Sequence, residues 1–194
     1  MTIGWVIWGF LALEVFLRAA LEIAEIRKSG QKNDRFALVR IIPLLNDLLP
    51  PESLSSKPQA PESAFAKAHE RAHQKFHHGI IRQFFWAGIL IAIAVFLGSV
   101  GILFQLGIVE LLLLFHLLFA ASRILFHFVC FSQEYEADTF AAKCVSKKVV
   151  LRAMNTLIAE EFPRSPLFAY VYRTHPTAVM RKKHLTKRQT PKSF

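Results

Sequence analysis

The sequence predicts an all-α integral membrane protein with three transmembrane helices. Residues 3–21, 83–104 and 108–131 are apolar stretches, each long enough to cross the hydrocarbon core of a bilayer as a helix. The chain is 53% hydrophobic and contains 18 Phe, yet its formal net charge is +10. This combination is typical of membrane spans flanked by Lys- and Arg-rich segments. Nucleic-acid binding, another common use of a basic chain, leaves the apolar runs unexplained, and we do not expect it.

The first span, Ile3–Leu21, carries two charged residues. Glu14 and Arg18 lie four residues apart, so a helix places them on one face, where they can pair. No basic segment precedes this stretch and no small-residue cleavage site follows it. We therefore predict a retained signal anchor rather than a cleaved signal peptide.

Residues 22–63 predict a cytoplasmic linker between the first span and the rest of the chain, polar and basic over residues 22–40 and with an apolar patch, residues 36–49, that is too short to span. Its first part continues the helix of the span as far as a break near Ser29-Gly30. The segment Pro50–Pro61 contains four Pro and predicts a loop.

Residues 64–131 predict a helix that leads into a transmembrane helical hairpin. The helical pattern of residues 64–82 runs without Pro into the span 83–104, and a tight turn at Gln105–Gly107 precedes the span 108–131. Residues 132–194 then form a polar C-terminal region that ends in a basic tail from Arg181. We expect the whole chain, 1–194, to form one domain.

The distribution of basic residues predicts the orientation of the spans. Of 24 Lys and Arg, only Arg18 and Arg123 lie within spans, and the other 22 lie in residues 22–82 or 132–194. With three spans these two segments lie on the same side of the membrane. The positive-inside tendency then predicts that both are cytoplasmic and that the amino terminus lies outside.

The segment His69-Glu70-Arg71-Ala72-His73 matches the motif H-E-x-x-H. Residues four apart share one face of a helix, so both imidazoles can bind one Zn²⁺ ion at about 2.0–2.1 Å. Glu70 lies one position further round, where its carboxylate can act as general base on a zinc-activated water. The alternative is a solvated helix with two surface histidines, since the match arises by chance about a few times per hundred such chains.

A catalytic zinc site needs a third protein ligand, and the segment Glu134–Asp138 offers a carboxylate. His73 lies ten residues before the second predicted span, and Glu134 lies three residues after the third. Because a hairpin returns the chain to the membrane face that it left, we expect these residues to be neighbours. Glu134 and Asp138 share a helix face, so one can bind the metal while the other orients a ligating His.

The third span carries a polar stripe on one helix face. Its members fall within about 60° of one another at 100° per residue: His116, Arg123, His127, Glu134 and Asp138. For His116 and Arg123 we favour buried polar contacts that join the spans. For His127 we expect a position lining a cavity that opens to the metal site.

These features resemble the HtpX and CAAX-prenyl-protease type of membrane zinc metallopeptidase. The matching elements cover about residues 64–185: HERAH (69–73), the hairpin, SR (122–123), EYEADTFAAK (134–143) and THPTAVMRKKHL (174–185). The resemblance implies one zinc ion per chain, bound by His69, His73 and Glu134. It implies that Glu70 activates water, that Asp138 supports a ligand from behind, and that His175 and Arg181 belong to an HP…R element at the active site.

The resemblance also implies a function and a location. We expect a zinc metalloendopeptidase that hydrolyses peptide bonds of membrane or membrane-proximal proteins, in a prokaryotic plasma membrane. His175 can donate to the oxyanion that forms during hydrolysis, with a packed or capping histidine as the alternative. The competing function is a proteolytically inactive zinc-binding membrane scaffold, or a sensor-transducer protein of the BlaR/MecR type. The sequence leaves the oligomeric state open.

Two features differ from the family pattern. The usual H-E-L-G-H is replaced by H-E-R-A-H, and Pro50–Pro61 takes the place of an Asn- and Gly-rich strand region that supports bound peptide by edge pairing.

Overall fold

The computed structural model describes residues 3–29, 37–48, 64–161 and 164–189, and every regular element in these ranges is an α-helix. The helices are α1 (Ile3–Ser29), α2 (Ala37–Ile41), α3 (Leu45–Leu48), α4 (Ala64–Lys75), α5 (His78–Phe104), α6 (Ile108–Cys144), α7 (Lys147–Glu160), α8 (Pro166–Tyr172) and α9 (Ala178–Gln189). The all-α class is confirmed for this part of the chain. The predicted Pro50–Pro61 loop lies outside the described residues.

Two described helices, α5 and α6, are long and apolar enough to cross a membrane. The prediction of three spans is therefore wrong in its first member, residues 3–21. Helix α1 extends to Ser29, and Glu14 and Arg18 interrupt its apolar part before further carboxylates follow. The two charges form the predicted pair, with Arg18 Nη2 2.7 Å from Glu14 Oε1.

The predicted hairpin turn is confirmed. Helix α5 ends at Phe104 and α6 begins at Ile108, and Gln105 between them has a φ of 50°. The expectation of an unbroken helix from residue 64 into the span is wrong, because α4 ends at Lys75. His77, with a φ of 54°, separates it from α5. A left-handed backbone conformation cannot continue a right-handed helix, so the chain changes direction there.

The chain divides into two compact units. The first comprises residues 1–50 and 85–125, and its buried core contains Ile7, Leu11 and Leu113. A buried ion pair also lies in this unit: Arg40 donates through Nε and Nη2 to the two carboxylate oxygens of Glu22, at 2.6 and 2.9 Å. The short helices α2 and α3 therefore belong to the same folded unit as α1.

Two members of the predicted polar stripe make buried contacts within this first unit. The ring of His116 lies between two carboxylates, with Nδ1 2.6 Å from Asp47 Oδ2 and Nε2 2.8 Å from Glu14 Oε2. Arg123 donates to the carbonyl oxygen of Asn46 at 3.0 Å. The burial of these two polar residues is confirmed, but their partners lie on α1 and α3 rather than on a second candidate span.

The second unit comprises residues 51–84 and 126–194. Its apolar core joins α4, the end of α6, α7 and α9 through Phe65, Ala68, Ala141, Val150, Met154 and Leu185. The predicted basic tail from Arg181 is helical as far as Gln189, since these residues belong to α9. Leu185 packs its apolar side chain into the core, while the lysines of α9 stay at the surface.

Candidate metal centre

Helix α4 brings the two histidines of the H-E-x-x-H segment together. Phe65, Ala68 and Ala72 bury one face of this helix, and His69, only 7% exposed, lies on the same side. One helical turn separates His69 from His73, and their Nε2 atoms lie 3.1 Å apart. The motif therefore forms the paired imidazoles that its spacing predicts.

Glu134 of α6 approaches the same point. It is 1% exposed, with its Oε2 3.3 Å from His69 Nε2 and its Oε1 3.3 Å from His73 Nε2. Within the part of the chain that the structure describes, these three residues are the group whose donor atoms lie close enough together to hold a metal ion. The hairpin thus returns Glu134 to the motif helix, as the chain topology predicts.

The three side chains can offer one donor atom each to a single ion. The Nε2 atoms of the two histidines lie 3.1 Å apart, each lies 3.3 Å from a different oxygen of Glu134, and one donor from each residue lies within 4.8 Å of the other two. Two imidazole nitrogens with one carboxylate are also a ligand set of catalytic zinc, which leaves a position open for water or substrate. The residues present therefore fit zinc in both number and kind.

A buried ion pair contacts His69 at Nδ1, the ring nitrogen that does not face His73 and Glu134. Asp138, one turn after Glu134, is fully buried, and its Oδ1 lies 3.0 Å from His69 Nδ1. Arg181 of α9 donates through Nη2 to Asp138 Oδ1 at 2.6 Å and through Nε to Oδ2 at 2.8 Å. This two-bond contact fixes the carboxylate, which in turn fixes the ring of His69.

His175 also reaches the carboxylate of Glu134, where its Nε2 lies 3.4 Å from Oε1. The segment that carries it is anchored by Glu161, whose Oε1 lies 2.6 Å from Arg173 Nη1 and whose Oε2 accepts from the backbone N–H of Ala178 at 2.5 Å. His175 thus lies at the edge of the ligand cluster, partly exposed.

A comparison with family models matches peptidase family M48 to residues 41–189, more than three quarters of the chain. The chain belongs to peptidase family M48. Comparisons with curated proteins and with solved structures give no match. Metallopeptidase chemistry is characteristic of this family, and protein or peptide substrates follow from it.

Two residues of this M48 peptidase contact the cluster although the motif reasoning did not single them out. Arg82 of α5 lies with Nη2 3.2 Å from Glu134 Oε1 and donates through Nε to Gln133 at 2.6 Å. His78, at the first position of α5, lies with Nδ1 2.9 Å from Nδ1 of His73. The sequence could have indicated Arg82, because it directly precedes the second apolar stretch, at the membrane face where the metal site was predicted.

The pKa shifts of two residues of the cluster suit metal binding, which needs neutral imidazole and ionised carboxylate. Burial lowers the pKa of His73 to about 4, against the opposing charge of Glu134. Burial by itself raises the pKa of Glu134, but the hydrogen bond with His69 and the charges of His175 and Arg181 outweigh it and lower this pKa to about 2.

The pKa of His69 differs from those of the other two candidate ligands. Burial lowers its pKa, but hydrogen bonds with Asp138 and Glu134 outweigh this effect and raise the pKa above its usual value. Protons therefore compete with a metal ion for His69 up to a higher pH than for an ordinary imidazole.

Two other predicted residues differ in their surroundings. Glu70 is exposed to solvent on α4, next to the ligand face. His127 is only 1% exposed, and its Nδ1 donates to the carbonyl oxygen of Tyr170 at 2.8 Å. The expectation that His127 lines an open cavity is therefore wrong, because its ring caps a backbone carbonyl in a packed region.

Proposed function

We propose that this M48 chain is a membrane-embedded zinc metalloendopeptidase that cleaves membrane or membrane-proximal proteins. The observation that carries the proposal is the convergence of His69, His73 and Glu134, which offer one donor atom each within 4.8 Å of one another and are a ligand set of catalytic zinc. The carboxylate–arginine pair behind His69 supports it, because such a pair holds a ligating imidazole in the orientation that metal binding requires.

Hydrolysis then follows from the positions of the chain's own residues. A zinc ion at this centre supplies a Lewis acid that polarises the scissile carbonyl and makes water more acidic. Glu70 accepts the proton of the attacking water at its carboxylate and passes it to the leaving nitrogen. Because the side chain of Glu70 is exposed, its carboxylate is accessible to the attacking water and to the leaving nitrogen. No covalent bond between the chain and the substrate is needed.

His175 is proposed to bind the carbonyl oxygen of the substrate as negative charge develops on it. Its Nε2 lies within 3.4 Å of the ligand Glu134, and about a third of its side chain is exposed. A ring at that position can donate a hydrogen bond toward a bound peptide, which favours the charged transition state over the neutral substrate.

The membrane location is proposed from α5 and α6. Only 6% of the most apolar part of α5 and 22% of that of α6 is buried. Apolar helices with outward-facing side chains need a hydrophobic environment. A two-helix hairpin keeps residues before α5 and after α6 on one side, and their many Lys and Arg favour the cytoplasm. The HtpX-type resemblance favours a prokaryotic plasma membrane.

The test uses the full chain purified in detergent, with zinc content and cleavage of casein measured with and without chelator. We expect about one zinc per chain in the wild type. Glu70→Gln should keep the zinc and lose at least about 100-fold in activity, because a general base contributes that much or more. His69→Ala should lose both.

The matched control is Glu160→Gln, which removes the same charge from an exposed site on α7 and should retain zinc and activity. Full activity of Glu70→Gln would show that the proposed base is wrong. A wild-type chain that binds no added zinc would show that the proposed metal site is wrong.

A further inference from the structure

We propose that Glu136 and His78 form a hydrogen-bonded relay that positions His73 and thereby sets the zinc affinity of the site. This inference rests on the proposed zinc centre. In this proposal the ring of His73 is oriented by His78 and Glu136, whereas the ring of His69 is oriented by the Asp138–Arg181 pair.

The contacts form a continuous chain. His73 Nδ1 lies 2.9 Å from His78 Nδ1, and His78 Nε2 lies 3.3 Å from Glu136 Oε2. The rings of His73 and His78 meet edge to face, with centroids 4.9 Å apart. The side chain of His78 is 2% exposed, whereas that of Glu136 is 56% exposed, so the relay runs from the surface to the buried ligand.

The relay allows one assignment of protons when His73 binds a metal. His73 then offers the lone pair of Nε2, so its ring proton lies on Nδ1 and is donated to His78 Nδ1. His78 must accept at Nδ1, and its own proton therefore lies on Nε2. That N–H faces the carboxylate of Glu136, which accepts it. A negative charge at Glu136 thus favours the His78 tautomer with its proton on Nε2. That tautomer leaves His78 Nδ1 free to accept the Nδ1 proton of His73, and His73 then offers Nε2 to the metal.

The break between α4 and α5 makes this contact possible. In an uninterrupted helix His78 would lie five residues, or 500°, beyond His73, well off its face. The left-handed conformation of His77 ends α4 and begins α5 at His78, whose ring then lies against that of His73. Glu136 shares α6 with the ligand Glu134 but lies 200° round the helix, so it reaches His78 rather than the metal.

The two histidines are oriented by different kinds of contact, one direct and one through a second imidazole. Asp138 contacts His69 directly from a fully buried position, while Glu136 acts on His73 through an intervening imidazole. Loss of a partner that orients a ligating histidine typically costs 10–100-fold in metal affinity. We expect the direct partner His78 to fall in that range and the exposed Glu136 to have the smaller effect.

The experiment measures zinc affinity by competition with a chromophoric chelator, using the full chain in detergent and zinc alone as the probe. His78→Leu should weaken binding by roughly 10-fold or more, since it removes the acceptor for His73. His78→Asn has nearly the same shape as His78→Leu, but its carbonyl oxygen stands near the position of Nδ1. It should bind within about threefold of the wild type.

Glu136→Ala should weaken binding by about threefold to tenfold in the wild type, because its charge is partly screened by solvent. In the His78→Leu background the same change should have no further effect, since the intermediate of the relay is absent. Glu160→Ala, which removes a carboxylate that is also exposed, on α7, should leave the affinity unchanged. Thermal unfolding of each metal-free variant identifies any loss of zinc affinity that is caused by misfolding.

Three results would overturn the relay: equal zinc affinities of His78→Leu and wild type, equal affinities of His78→Leu and His78→Asn, or an effect of Glu136→Ala that persists in the His78→Leu background. Each of these requires a wild type that binds zinc. Absence of zinc binding by the wild type would instead refute the proposed metal centre.

Discussion

Replacing Asp138 by Asn removes one negative charge from a fully buried ion pair while keeping the shape of the side chain. Asp138 accepts two hydrogen bonds from Arg181, at 2.6 and 2.8 Å, and contacts His69 Nδ1 at 3.0 Å. The amide has one acceptor oxygen in place of two, so it cannot satisfy all three donors. Arg181 is only 6% exposed, and after the substitution its positive charge is no longer balanced by a negative charge at position 138.

Breaking a buried ion pair by removing one partner typically costs about 3–5 kcal/mol. In a chain of this size 1 kcal/mol corresponds to about 2–4 °C in melting temperature, so Asp138→Asn should melt roughly 6–20 °C below the wild type. The zinc affinity should also fall, by about 10–100-fold, because His69 loses the carboxylate that orients it.

The assay is thermal unfolding in detergent with chelator present, so that bound metal does not contribute to the melting temperature. Zinc affinity is measured separately. Combining Asp138→Asn with Arg181→Gln removes the uncompensated charge and should recover part of the stability, but not the affinity, since His69 still lacks its partner. A melting temperature of Asp138→Asn within about 2 °C of the wild type would refute the reasoning.

Two further predictions concern other parts of the second unit. Glu161→Ala should lower the melting temperature by a similar amount, because Arg173 loses its buried partner and the first turn of α9 loses an acceptor. Glu160→Ala serves as the exposed control, and equal melting of the two variants would contradict the prediction. Cys144 is exposed and Cys130 fully buried, so a maleimide should label one thiol in the folded chain and two after denaturation. Rapid labelling of both in the folded chain would contradict the described packing.

The sequence could predict the features that depend on local spacing. His69 and His73 share a face because four residues make about one helical turn, whatever surrounds them. The hairpin turn at Gln105–Gly107 was predictable because two apolar runs of spanning length leave little other room for it. Glu134 followed from the same hairpin, since the chain must return to the side from which it entered.

The sequence was a poorer guide where polar and apolar features compete within one segment. Residues 3–21 are long enough to span a bilayer, yet Glu14 and Arg18 lie within them, and the helix continues to Ser29. In α9 the high density of Lys and Arg led to the prediction of a basic tail rather than a helix. Leu185 and Arg181 nevertheless supply the apolar and ionic contacts that fix this helix to the second unit.

What the sequence by itself determined is therefore the pair of histidines, the position of Glu70 beside them and the helix that carries Glu134. Only the tertiary structure decided which side chains support that set. Arg181 reaches Asp138 because α9 packs on the core of the second unit, and His78 reaches His73 because His77 adopts a left-handed conformation. Periodicity along one helix is a short-range property, whereas a contact between residues 43 positions apart, or across a helix break, depends on how the elements pack.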